Sequence, residues 1–157
     1  MSEYIEREEL RIDDPEYNIL VENDDYLVYK KYETVRLYMK KQKQLVWCIG
    51  DFYGDAEGAI ITEDNQWCIM YGCGIIAYRL KEPFDDYSYD TVCEQWSEFR
   101  RGPKDILWVE KVVQTSPTSM LVISEDESKY TLDILDNHLK LERFKKTLDN
   151  RHLVIYI

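Results

Sequence analysis

The chain has 157 residues, 45% of them hydrophobic and 13% aromatic, with 31 acids against 20 Lys and Arg for a net charge of −11. That composition is enough for one globular domain and excludes a disordered chain. No apolar run reaches the ~18–20 residues of a membrane-spanning helix, and the acidity opposes the phosphate contacts on which nucleic-acid affinity rests.

The chain opens on MSEYIEREEL, acidic where a secretory leader is basic and then apolar, so a cytoplasmic protein is expected. Its four cysteines (Cys48, Cys68, Cys73 and Cys93) are expected to be buried thiols. Period-2 runs follow one another every ~8–15 residues, the spacing of antiparallel β rather than of alternating strand and helix. They are NILVE, YLVYK, TVRLYMK, QLVWCI, GAIIT, WCIMY, GIIAYRL, ILWVEKVVQ, SMLVIS and YTLDIL. In TVRLYMK, for example, Val35, Leu37 and Met39 alternate with Arg36, Tyr38 and Lys40. Trp47, Trp67 and Trp108 fall within such runs and are assigned to the core.

Three segments share an apolar pair, an acidic polar run and an aromatic: LVENDDY (20–26), IITEDNQW (60–67) and VISEDESKY (122–130). Either hairpins resemble one another, or a β-meander is duplicated in a sandwich or propeller-like arrangement. Both readings put the acidic runs at hairpin tips.

One helix is predicted, over about 91–101. Thr91 and Glu94 have capping-box spacing, Val92, Trp96 and Phe99 lie at i, i+4 and i+7, and Gly102-Pro103 ends the run. Residues 136–148 read both ways: Leu139 and Leu141 suit a strand, whereas Leu141, Phe144 and Leu148 suit a helix. The final HLVIYI is expected to form a paired strand, because six such residues left unpaired would invite aggregation.

Residues 50–74, GDFYGDAEGAIITEDNQWCIMYGCG, hold five of the six glycines and ask for a chemical reading. An EF-type calcium loop begun at Asp51 fails, with Tyr53 at position 3, Ala56 at position 6 and Thr62 at position 12. Gly72 to Ala77 match G-x-G-x-x-A, but the β-branched residues that follow, ended by Pro83, leave no room for the helix that would receive a phosphate. Zinc lacks its paired short spacings, since Cys68 and Cys73 are separated by four residues and the chain has only two histidines, His138 and His152. No nucleophile elbow or P-loop occurs. The stretch reads as strands joined by two turns, with no cofactor, no metal and no catalytic residue assigned.

Two acidic, aromatic turn segments remain. GDFYGDAEG sets Phe52 and Tyr53 beside Asp51, Asp55 and Glu57, and EPFDDYSYD sets Phe84, Tyr87 and Tyr89 beside Asp85, Asp86 and Asp90. Tyrosine is a large, low-entropy anchor, and carboxylates steer and pair with Lys or Arg, so these eleven residues are the candidate contact set for a basic protein partner. The competing reading is a pair of solvated loops whose rings cover strand edges.

The stretch VWCIGDFYGDAEGAIITEDNQWCIMYGCGIIAYRL (46–80) resembles segments of small bacterial immunity proteins of polymorphic-toxin systems. The resemblance implies a compact acidic domain that neutralises a toxin by occluding it, and it carries over no site residues. The expectation is thus a mainly β, single-domain antiparallel sheet or sandwich over residues 1–157, with one short helix. Its expected function is non-enzymatic inhibition of a basic toxin. The alternatives are a small-ligand-binding domain or enzyme with a site assembled from distant strands, and a scaffolding domain.

Overall fold

The computed structural model describes residues 2–4, 17–144, 147–149 and 152–154, with side chains over 18–144. Every described element is a β-strand, and every pairing between strands is antiparallel. The first sheet is formed by β1 (Ser2–Tyr4), β2 (Tyr17–Glu22), β3 (Tyr26–Lys31), β4 (Thr34–Met39) and β5 (Gln44–Asp51), in the order β1-β5-β4-β3-β2. The middle sheet runs β6 (Gly58–Ile61), β7 (Trp67–Gly72), β8 (Gly74–Arg79) and β9 (Trp96–Phe99). The third runs β10 (Val109–Ser116), β11 (Ser119–Ser124), β12 (Lys129–Leu135) and β13 (His138–Arg143). A separate hairpin pairs β14 (Thr147–Asp149) with β15 (His152–Val154).

The three sheets stack as layers, and alternation along β7 and β8 explains why. Cys68, Met70, Ile76 and Tyr78 point into a core shared with Val28, Leu37, Val46 and Ile49 of the first sheet. Their neighbours Trp67, Ile69, Ile75 and Ala77 point the other way, into a core shared with Val112, Met120, Val122 and Leu132 of the third. A strand buried on both faces needs apolar residues at consecutive positions. That is what WCIMY and GIIA supply.

Cross-links at the layer ends fix their relative placement. Asn23 and Asp25 at the β2–β3 tip share Asn65 of the β6–β7 tip, through Asn23 Nδ2 to Asn65 Oδ1 and Asn65 Nδ2 to Asp25 Oδ2, both 2.8 Å. Arg79 of β8 stacks on Trp67 at 4.3 Å and donates to the carbonyl of Asn137, in the β12–β13 turn, at 2.5 Å.

The acidic runs do lie at hairpin tips, as bends and turns at 24–25, 63–66 and 125–127. The internal repeat is looser than the meanders themselves. Segments 20–26 and 60–67 are first hairpins of their sheets, whereas 122–130 is the second hairpin of its sheet. The ambiguous segment resolves as strand over His138–Arg143, with Leu139 buried against Ile134 across the ladder. The terminal run is paired over His152–Val154; residues 155–157 lie outside the described residues.

The predicted helix at 91–101 is absent. Residues 91–95 are irregular and 96–99 form β9. Trp96 packs toward the first sheet and Phe99 toward the third, opposite faces of one strand rather than one face of a helix. Val92, the third member of the supposed apolar face, is fully exposed at 101%. Thr91 caps nothing with its side chain here; its carbonyl accepts from Trp96 Nε1 at 3.2 Å. The pairing available along β8 outweighs a weak local helix preference. Two further assignments need correction. Trp47 and Trp108 are 36% and 40% exposed while Trp67 is core, and of the four thiols Cys68 and Cys73 are buried, Cys48 is half-buried, and Cys93 is exposed on the segment that failed to become helix.

Candidate functional site

The first acidic loop follows β5 and lies beside the β7–β8 turn, whereas the second leaves the end of β8 beside the β6–β7 tip, at the other end of the middle sheet. In the first loop the chain departs from β5 at Asp51, and alternation turns Phe52 inward. It is fully buried, while Tyr53 is 75% exposed. Backbone bonds hold the loop: Phe52 N donates to the Glu33 carbonyl at 2.8 Å, Glu57 N to the Tyr71 carbonyl at 2.8 Å, and Gly54 N to Glu33 Oε2 at 2.9 Å. Ala56 is buried beneath it, leaving Asp51, Asp55 and Glu57 at the surface.

The second loop, 81–90, is organised by Gln95, which is buried. Its Oε1 accepts from Asp85 N at 3.1 Å, and its Nε2 donates to the carbonyls of Arg79 and Lys81 at 2.7 and 2.9 Å. Tyr78 OH donates to the Asp85 carbonyl at 2.7 Å, and Tyr87 N to the Cys48 carbonyl at 2.8 Å. Tyr87 is buried against Trp96, with ring centroids 5.2 Å apart, and Phe84 is half-buried on the same core. Tyr89 is 57% exposed, and Asp85, Asp86 and Asp90 are exposed.

Arg101 ties the loops together. Its guanidinium lies over the Phe52 ring at 4.7 Å, and Nη2 donates to the Asp51 carbonyl at 2.6 Å and Nη1 to the Cys73 carbonyl at 2.8 Å. Its Nε donates to Glu98 Oε1 at 2.7 Å, and the same oxygen accepts from Tyr87 OH at 2.5 Å. One ion pair with 9% and 19% side-chain exposure therefore touches an inward aromatic of each loop. Gly74 makes room for it: at φ +77°, a Cβ there would stand 2.6 Å from the Phe99 carbonyl oxygen and 2.8 Å from that of Arg100. The G-x-G is thus a tight turn beside the arginine strap.

The electrostatics follow from this packing. The Asp51 carboxyl is pushed above the ordinary carboxylate value by burial and by the nearby charge of Glu33, against the pull of Arg101. Burial and the bond to Glu98 raise the Tyr87 hydroxyl well above its usual value. In the third sheet Asp126 is held at about 2 by the hydroxyl of Ser124 and the N–H of Ser128, the chemistry of a capped hairpin tip.

Of the eleven sequence-predicted contact residues, Phe52 and Tyr87 are core anchors and Phe84 is half-buried. Asp51, Tyr53, Asp55, Glu57, Asp85, Asp86, Tyr89 and Asp90 are presented to solvent. Glu98 and Arg101, which join the loops, and Gln95, which organises the second, were missed, because all three fall within the segment predicted as helix. Among the described residues no three His, Cys, Asp or Glu side chains converge as metal ligands, and no helix is long and apolar enough to cross a membrane. A cavity of about 360 Å³ beside the second loop is lined mainly by polar and charged side chains, with Arg79, Glu94 and Cys93 among them and no histidine. No family model matches the chain, and no curated protein shows significant similarity to it.

Proposed function

We propose that the protein is a non-enzymatic binding protein whose paired acidic loops cap a basic protein surface. This is the action of an immunity-type inhibitor that occludes a cationic bacterial toxin such as a nuclease. The observation that carries the reading is the Arg101–Glu98 pair, which fixes both loops to one edge through Phe52 and Tyr87. Tyr53 and Tyr89 are left outward among six carboxylates, those of Asp51, Asp55, Glu57, Asp85, Asp86 and Asp90. Rigid loops with outward tyrosines lose little entropy on docking. The Asp51 carboxyl, crowded by Glu33, gains from any cation brought against it.

The test is co-expression with the product of the adjacent reading frame. A basic domain should co-purify with this chain. Its association rate should fall at least about tenfold from low to physiological salt, while dissociation changes little. Neutralising Asp55, Asp86 and Asp90 to Asn should slow association in the same way. Metabolic genes as neighbours, no basic chain co-purifying, or salt-independent association would overturn the reading.

A further inference from the structure

Among the described residues, no backbone group bonds to the outer edge of β9 along its middle, and the ladder shows which groups it presents. Arg79 N donates to the Gln95 carbonyl at 2.7 Å, and in that register Ala77 faces Ser97 and Ile75 faces Phe99. Antiparallel pairs alternate between bonded and non-bonded, so Ser97 and Phe99 turn their backbone groups to β8, while Trp96 and Glu98 turn theirs away from it. The other side of β8 agrees: Leu80 N donates to the Gln66 carbonyl at 2.8 Å, which assigns Tyr78 and Ile76 to β7. No described strand pairs with the outer edge of β9. Beyond Phe99 the edge closes, where Leu107 N takes the Arg100 carbonyl at 2.9 Å.

A second wall stands beside this opening. Residues 90–93 run alongside, held by the bond from Trp96 Nε1 to the Thr91 carbonyl. Between that arm and β9 lies a cavity of about 300 Å³ whose lining includes Asp90, Val92, Cys93, Trp96 and Glu98. Val92 projects fully into solvent at its rim.

We infer that this slot receives an extended segment of a basic partner, which adds to the middle sheet as a further strand against β9. Trp96 and Glu98 each offer an N–H and a C=O to the incoming backbone. Val92 offers an apolar contact, and Asp90, exposed in the lining, gives the slot the charge that selects Lys or Arg on the incoming strand. A second copy of this chain is the wrong occupant, because it would bring the same carboxylates at a net charge of −11. The inference rests on the basic-partner reading and adds to it a backbone-mediated contact that charge alone does not provide.

The experiment titrates the isotope-labelled full chain with a short capped peptide alternating Lys and Val, following backbone amides by NMR. Two comparison peptides are used, one N-methylated at the positions that would face β9, the other with Ser in place of Lys. The expected result is saturable shifts at the Trp96 and Glu98 amides, with affinity reduced at least about tenfold by N-methylation. Indifference to N-methylation, or shifts confined to residues 51–57 and 84–90, would overturn the strand inference and leave the basic-partner reading standing. Equal, N-methyl-sensitive binding of the Ser peptide would keep the edge site and remove the basic partner. No shift at Trp96 and Glu98 with any peptide would overturn the site.

Discussion

Side chains of one type meet very different surroundings in this chain, and the four thiols show it most plainly. Burial pushes Cys48 to about 11 and Cys68 to about 12, and raises Cys73 as well, whereas Cys93 is exposed on the arm beside β9. Thiolate is the reactive form, so a thiol reagent at about pH 8 should modify Cys93 rapidly, half-buried Cys48 more slowly, and Cys68 and Cys73 only as the protein unfolds. Mass mapping of the labelled peptides checks this; a second thiol reacting as fast in the folded state would contradict the burial. Arg101 is the other decisive residue. Replacing it with Ala leaves Glu98 partly desolvated with only Tyr87 as partner and strips three carbonyl or carboxylate contacts and a ring contact. The cost should be about 3 kcal/mol in urea denaturation, and the Arg101→Ala, Glu98→Leu double variant should recover part of it. None of this was legible in the sequence. An arginine that works through backbone carbonyls of residues 51 and 73 has no partner pattern to find along the chain.

At the scale of single elements, the strands were readable and the helix was not. Period-2 alternation is decided by which face a residue turns to a core, and that pattern survives in sequence for β4 and β12, while β7 and β8, buried on both faces, read as continuous apolar runs. In residues 91–101 three apolar residues happened to fall at helical spacing, but what governs the segment is the unfilled edge of β8 and the bonds of Gln95 to Arg79, Lys81 and Asp85. Those are long-range, and no local window contains them. The candidate loops were found because turn residues and acids cluster, yet their rings were split between anchor and surface by an alternation that continues past the strand ends. Gly74 gives this scale its own prediction. Any side chain there meets both a left-handed backbone and the carbonyls of Phe99 and Arg100, so Gly74→Ala should destabilise by about 2–4 kcal/mol. Gly54→Ala is the control: its φ is +75°, with nothing within 4 Å of the added carbon, so thermal melts should show the milder loss of about 1–2 kcal/mol.

For the molecule as a whole, the middle sheet is the structural keystone, since both cores share its residues. Amide exchange should be slowest in β7 and β8 and should follow global unfolding there. β13, at the edge of the third sheet, should exchange through smaller openings; equal protection in the two regions would argue against this layering. All-β class was legible from composition and spacing, but the stacking of three sheets was not, because a core shared by two layers looks in sequence like any continuous apolar run. The pairing order has one more consequence. Apart from the β1–β5 pair, the strands of the three sheets bond only to their neighbours along the chain. Each meander can therefore assemble through short loop closures, and only docking of finished layers, with β1 returning to β5, requires distant segments to meet. Search time for such a chain is set by local zippering, so refolding should be faster than is usual for proteins built wholly of strands.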